Sequence, residues 1–201
     1  MLPDRVALGF DTSAAHCAAA LLCGGQVLAE RLEHMTKGQA ERLFPMLEQM
    51  LAEAGLAWAD LDVIGVGTGP GNFTGIRVAV AAARGLSLSL GCPAIGISVT
   101  EATACDLPRP CRVVIKGRRD QVIWEDFDAE DCPERASRPQ QAVTGQLPPG
   151  PAPAAPAVPL ATGIARLALS RMDRPQPRPA PIYLRPADAA PSSMPAPVIL
   201  P

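Results

Sequence analysis

The sequence predicts an α/β fold with a complete first lobe and a shorter, related second lobe. Strand-like and helix-like patterns alternate through the first hundred residues, and a similar strand hairpin begins again at Cys111. The final third is crowded with proline, since 17 of the 23 prolines lie between Pro133 and Pro201. Proline lacks an amide donor, so we expect linker or packed coil there.

The first lobe contains five predicted strands and two predicted helices. Short apolar runs bounded by turn residues indicate the strands, and helical apolar spacing ended by glycine indicates the first helix. The strands are Val6–Phe10, Cys17–Leu22, Gln26–Leu32, Leu61–Val66 and Ala94–Ile97, and the helices are Gly38–Ala54 and Phe73–Leu90.

The second lobe begins with a strand pattern similar to that of the first, but the similarity does not continue along the chain. Cys111–Ile115 and Val122–Phe127 are predicted to form a hairpin, and Leu160–Met172 is a short predicted helix. Leu147–Pro159 is almost wholly proline, alanine and glycine, so we expect it to lack anchor residues and to be dispensable for partner binding. The predicted lobes are residues 1–106 and 107–201.

Composition and charge exclude several classes of protein. With 201 residues and 48% hydrophobic composition the chain can bury a sizeable core, yet it has no unbroken run of 18 apolar residues. The N-terminus lacks the pattern of a signal peptide, so we expect a cytoplasmic protein. The net charge is −2, with −5 on residues 1–106 and +3 on 107–201, and only seven aromatic residues occur. This is not the basic, stacking surface of a protein that binds RNA by itself.

Cysteine and histidine are too sparse for a metal site or a peptidase centre. None of the six cysteines forms a Cys-x-x-Cys motif, and we expect free thiols. The two histidines, His16 and His34, are eighteen residues apart and show no ligand spacing. Ser13 or Ser98 would have to recruit one of them as a base, so a peptidase remains only an alternative.

A glycine-rich loop, Gly69 to Asn72, precedes the second helix and is the most specific local feature. Its glycines permit a tight backbone path, and Asn72 or Thr74 can cap the following helix. Such a loop can bind an anion, but the lysine of a P-loop is missing and a structural turn is the stronger interpretation. Asp11, which ends the first strand, is interpreted as a cap of the Thr12–Ser13 turn.

These motifs resemble the TsaB (YeaZ) family, most densely from Val6 to Thr103. The resemblance rests on Gly69–Arg77, Phe10–Ser13 and Glu41–Leu47, and weaker fragments follow at Val113–Trp124 and Pro181–Arg185. The single residues that carry the motif are Asp11, Thr12, Gly69, Pro70, Gly71, Phe73, Thr74, Gly75 and Arg77.

The resemblance implies an actin-like (ASKHA, ribonuclease H-like) fold and a non-catalytic scaffold or dimerisation role. It further implies a cytoplasmic complex with TsaD, the catalytic subunit of tRNA threonylcarbamoyladenosine synthesis, and with the ATPase TsaE. ATP and metal would then belong to partner subunits, tRNA would be reached only through the complex, and the isolated chain could form a homodimer. Lys116 stands where catalytic actin-like folds carry an acid, which disfavours the alternative of a small-molecule kinase.

The two long predicted helices have more apolar surface than packing against a single sheet would cover. In the first, apolar residues span an arc of about 160°, against the roughly 100° of an ordinary core-facing helix. The pattern alone is equally consistent with burial inside one lobe, and the family resemblance favours an interface. The predicted interface is Leu43, Met46, Leu47, Met50, Val78, Ala82 and Gly85. On this hypothesis Met50→Arg would leave a folded monomer that no longer pairs.

Overall fold

The computed structural model describes residues 4–117, 119–128 and 138–184, which form eight strands and four α-helices. The elements of the first half are β1 (Val6–Asp11), β2 (His16–Cys23), β3 (Gln26–His34), α1 (Gln39–Glu53), β4 (Val63–Gly67), α2 (Phe73–Leu90), β5 (Ala94–Ile97) and α3 (Val99–Thr103). Those that follow are β6 (Cys111–Lys116), β7 (Gln121–Phe127), β8 (Gln140–Val143) and α4 (Leu160–Arg171). Every predicted strand and helix is confirmed, whereas α3 and β8 were not predicted.

The first lobe is a five-stranded mixed sheet covered by helices on both faces. The strand order is β3-β2-β1-β4-β5, with β1 antiparallel to β2 and parallel to β4. α1 and α2 pack on one face with Leu8 and Phe10, and α4 packs on the other face with Ala7. Because both faces are covered, β1 and β4 are buried along their whole length, as their unbroken apolar runs predict.

The second lobe repeats the start of the first. β6, β7 and β8 form an antiparallel meander in that order, like β1, β2 and β3. In the first lobe β4 then lies parallel to β1, and in the second lobe Pro153 makes an isolated parallel bridge with Arg112 of β6. The proline-rich coil therefore occupies the place of a fourth strand.

α4 corrects the predicted boundary at residue 106, because this helix packs against the first sheet. Gly9 and Gly65, in the middle of β1 and β4, leave room for its backbone: an added Cβ would lie 2.6 Å from the Ala161 carbonyl or 2.8 Å from the Ile164 carbonyl. Glycine inside a strand often marks such a close approach. Residues 160–171 thus complete the lobe that residues 4–106 begin.

The cysteines of the described residues are free thiols, as predicted, and Cys132 lies outside the described residues. Burial raises the pKa of Cys17 and of Cys105 to about 11. These two thiols therefore remain protonated at neutral pH and are poor nucleophiles.

α2 alone among the described helices has the length and mean hydropathy of a membrane-crossing segment. One side of this helix, including Ile76, Ala79 and Ala83, is buried in the core beneath it. The same composition is typical of a core helix, and α2 is one here along that side.

Replacing glycine by alanine should destabilise the protein where the glycine packs against α4 and stabilise it where the glycine is open to solvent. Gly65→Ala places a methyl group against Ile164 and Ala168, so it should lower the free energy of unfolding by about 1–3 kcal/mol. Gly85→Ala, on α2 with open space around its Cβ position, should raise it by about 0.5–1 kcal/mol. Urea unfolding measures both, and equal effects would contradict the close packing of α4.

Candidate partner-binding groove and the loop that positions it

α1 and α2 lie side by side on one face of the first sheet and leave an open apolar groove between them. The groove has a volume of about 500 Å³. Its lining residues are Ala40, Leu43, Phe44, Val78, Ala81, Ala82, Gly85, Leu86 and Ser89. Ser89 is the one polar side chain among them, so the groove is suited to an apolar partner rather than to a charged ligand.

The groove includes four of the seven predicted interface residues and excludes the other three. Leu43, Val78, Ala82 and Gly85 line it, although Leu43 is fully buried and also packs in the core. Met46, Leu47 and Met50 are instead buried in the core between α1 and the sheet. The prediction that these three lie on an exposed face is wrong, and with it the expectation that Met50→Arg leaves a folded monomer. An arginine at position 50 would place an unpaired charge in the core.

The width of the apolar arc on α1 explains this division. Residues 43, 46, 47 and 50 lie at the centre of the arc and face the sheet, whereas Ala40 and Phe44 lie on its flank. Phe44 is 40% exposed, and its ring is 6.3 Å from that of Trp58. The surplus apolar surface is therefore the flank, which sequence reasoning could have identified by separating the arc into its centre and its edges.

Ion pairs on the opposite flank of α1 hold this helix against the edge strand β3. Arg42 donates two hydrogen bonds to the carboxylate of Glu33, each of 2.6 Å, and Arg31 pairs with Glu53. The bond from Arg42 lowers the pKa of Glu33 below its usual value. These pairs contribute to the position of the groove wall that α1 provides.

The glycine-rich loop sets the start of α2 by packing directly on the turn after β1. Gly67, Gly71 and Gly75 each leave no room for a Cβ, because the neighbouring atoms are the Asp11 carboxylate, the Ser13 carbonyl and the Thr12 carbonyl, respectively. The Thr12 hydroxyl donates to the Gly75 carbonyl at 2.6 Å, and the Asn72 amide donates to the Ser13 carbonyl at 2.5 Å. At these three glycines the backbone lies directly against the turn.

Asn72 is the N-cap of α2, one of the two caps that the sequence suggested. Its side-chain oxygen accepts hydrogen bonds from the amides of Thr74 and Gly75, at 3.0 and 3.2 Å. An anion at this helix end would compete with the asparagine for those two donors. The loop therefore acts as a structural turn.

Asp11 is wholly buried and caps the turn that follows it, as predicted. Its Oδ1 accepts from the amide and the hydroxyl of Ser13, at 2.8 and 2.9 Å, and contacts Nε2 of His16 at 2.9 Å. The carboxylate stands between Ser13 and His16, whereas a peptidase needs the histidine to accept a proton directly from the serine. The geometry does not provide that relay.

The segment after α4 returns across the glycine-rich loop. The Ile182 amide donates to the Thr68 carbonyl, and Arg84 of α2 donates to the Pro179 carbonyl, each at 2.8 Å. This return path could not be foreseen from residues more than ninety positions apart. Arg185, the end of the weaker family fragment, lies outside the described residues.

Tyr183 completes a stack on the exposed motif residues. Its hydroxyl accepts from Nε of Arg77 at 2.9 Å, and its ring lies 4.9 Å from the ring of Phe73. The Arg77 guanidinium is 3.7 Å from the Phe73 ring centre. Phe73 and Arg77 therefore bind the chain's own C-terminal segment. Tyr183, the lone tyrosine of the sequence, was missed as their partner.

The remaining candidates for chemistry lie in ordinary structural positions. Ser98 caps α3 through the Glu101 amide, and Lys116 is exposed at the end of β6. Within residues 4–117, 119–128 and 138–184, no three histidine, cysteine or acidic side chains group in a way that could hold a metal ion.

Comparison with known proteins places this geometry in a family. A family model described as TsaD, tRNA N6-adenosine threonylcarbamoyltransferase, matches residues 26–152. The structure of YeaZ from Pseudomonas aeruginosa superposes with a TM-score of 0.68 at 26% identity, covering 90% of this chain and 100% of that chain. The chain is a YeaZ-like member of the TsaD family. Its fold is the predicted actin-like (ASKHA) fold.

Further relatives agree with this placement in the TsaD family. A second structure, described as an uncharacterized protein similar to peptidase YeaZ from Pseudomonas aeruginosa, also has a TM-score of 0.68, with 25% identity and the same coverage of both chains. Uncharacterized proteins of Mycobacterium tuberculosis and Mycobacterium bovis are 34% identical over 180 residues, covering 82% of this chain and 83% of each relative. The likeness therefore spans both lobes.

The Arg42–Glu33 pair predicts a pH-dependent contribution to stability in this YeaZ-like protein. A carboxylate whose pKa is lowered on folding stabilises the protein above its unfolded pKa, near 4.5, and loses that contribution as pH falls. Glu33→Gln should therefore lower the melting temperature at pH 7, with a difference from wild type that shrinks below about pH 4.5. Thermal unfolding across pH tests this, with Glu48→Gln, at an exposed position of α1, as control.

Proposed function

We propose that this chain is a non-catalytic scaffold subunit of the machinery that forms N6-threonylcarbamoyladenosine in tRNA. It binds a TsaD-like catalytic subunit through the groove between α1 and α2. The observation that carries the proposal is this groove, which is open, apolar and built on a rigid sheet. Membership of the TsaD family and the likeness to YeaZ support the assignment to this tRNA-modification pathway.

The shape of the groove favours a helical partner. Ala81, Ala82 and Gly85 are small, so a facing helix can approach α2 closely, while Phe44 and Leu86 offer larger apolar contacts. Helices pack by placing side-chain ridges in such grooves. Leu88, 88% exposed on α2 outside the groove, extends the apolar area that a partner would cover.

The environment of Asp11 agrees with a scaffold role. This residue occupies the position of the acid with which actin-like enzymes bind metal-bound phosphate. Asp11 has no exposed surface, and one of its oxygens is committed to Ser13 and His16. Lys116 brings a positive charge where such enzymes carry an acid. Any ATP and metal in the complex would therefore be held by partner subunits.

The remaining partners follow from the same proposal. A TsaE-like ATPase would join the complex, and a second copy of this chain could fill the groove when the catalytic subunit is missing. tRNA would be contacted only through the assembly, since the chain has a net charge of −2. The complex would work in the cytoplasm.

A charge in the groove should abolish pairing with the catalytic subunit. Gly85→Arg introduces a guanidinium at an exposed helical position with open space around it, so the fold should persist. On association that charge would be desolvated without a partner, which should weaken binding at least about 100-fold. Titration calorimetry with the TsaD homologue of the same organism measures the affinity.

The matched control is Ala52→Arg, which adds the same charge at an exposed position of α1 that does not line the groove. This variant should bind like wild type. Wild-type affinity in Gly85→Arg, with the fold intact by circular dichroism, would show that the interface lies elsewhere.

The isolated protein should not hydrolyse ATP, because Asp11 is buried and Lys116 replaces the second acid. Phosphate release should equal that of a buffer blank. Turnover that Asp11→Asn abolishes would contradict the scaffold role and favour the alternative of an ATP-using small-molecule kinase. Hydrolysis of a peptide substrate that Ser13→Ala abolishes would favour the peptidase alternative.

A further inference from the structure

The proline-rich coil beside β6 was expected to contain no anchor residues of its own, and it is held instead by a buried arginine outside it, Arg112. The Arg112 side chain is 4% exposed. Its guanidinium donates to both oxygens of Asp126, at 2.5 and 2.6 Å, and to the carbonyls of Pro148 and Pro149, at 2.7 and 3.4 Å. Asp126 orients the arginine, and the arginine binds the coil.

Two further features show that this contact is closely fitted. The guanidinium lies 4.9 Å from the centre of the Trp124 ring, which forms a floor beneath it. Gly150 passes directly over the same guanidinium, where a Cβ would collide with Nη2. A side chain at position 150 would therefore displace either the guanidinium or the coil, and in both cases their contact would be lost.

The coil also contacts the edge of β6 through its backbone. The Ala154 amide donates to the Arg112 carbonyl at 2.9 Å, and Pro153 lies parallel to β6 at that point. β4 holds the same relation to β1 in the first lobe, where it continues the sheet to β5. Prolines at 148, 149, 151 and 153 lack an amide hydrogen, so this coil cannot continue the second sheet in the same way.

We propose that residues 147–154 form an edge cap, latched by Arg112, which prevents β6 of one copy from pairing with β6 of a second copy. This role is independent of the groove and of the proposed function. β6 carries the run Val113-Val114-Ile115, whose high β-propensity makes an uncovered edge prone to self-association. Proline is a residue with which proteins blunt such edges.

Gly150→Val tests the latch, because its side chain separates the coil from the Arg112 guanidinium without changing a residue of β6. Hydrogen exchange of the β6 amides should become at least ten-fold faster, and size-exclusion chromatography with light scattering should show concentration-dependent self-association. Ala155→Val, an exposed position just beyond the cap, is the matched control and should behave like wild type. Protease cleavage within residues 147–159 reports release of the coil.

Ala154→Pro is a second variant that removes the amide bonded to the Arg112 carbonyl and leaves Gly150 in place, and it should change exchange in the same direction by a smaller factor. Release of the coil with wild-type exchange of β6 and an unchanged oligomeric state would overturn the proposal. So would a Gly150→Val protein whose coil stays protected from protease. Loss of exchange protection in β1 and β4 as well would also overturn it, since a cap acts on the second sheet alone.

Discussion

The architecture depends on one contact, the packing of a glycine-rich loop directly on the turn that follows β1. Three glycines, Gly71 in the loop and Gly67 and Gly75 on either side of it, place backbone where side chains would collide with residues 11–13. The turn is itself rigid, because Asp11 caps it from a fully buried position. This contact sets where α2 begins and therefore the position of the helix that forms one wall of the groove.

α2 is enclosed on two sides and open on the third. One side packs on the sheet, and a second side holds the returning C-terminal segment through Arg77, Arg84 and the Tyr183 stack. The third side faces α1 across the groove. Because the first two contacts are made within the chain, the groove and the neighbouring Leu88 are apolar parts of this helix that the chain leaves open.

The fold has the arrangement of strands and helices of an actin-like enzyme, but the acid after its first strand, Asp11, has a structural role. Asp11 lies at the end of the first strand, yet one oxygen of its carboxylate, Oδ1, caps a turn and contacts the partly buried His16. In the second lobe a proline-rich coil stands where a fourth strand would continue the sheet. Both features support the proposed scaffold role.

Local patterns in the sequence were sufficient for the strands and helices. Apolar runs predicted β1 to β5, and helical spacing predicted α1. Asn72 was one of two suggested caps, because capping depends on residues only two or three positions apart. The family resemblance added the fold, since the loop motif is specific. These inferences rest on short-range interactions, which adjacent residues determine.

Only the tertiary structure decided which apolar surface is buried and which is open. The arc on α1 was visible in the sequence, but the sheet covers its centre, so Met46, Leu47 and Met50 are core residues while Phe44 reaches the groove. The return of α4 to the first sheet and the latch of Arg112 on the proline-rich coil were likewise hidden. Each of these contacts joins residues that are far apart in the chain. The periodicity of apolar residues indicates which side of a helix or strand is apolar, but not which part of the protein covers that side.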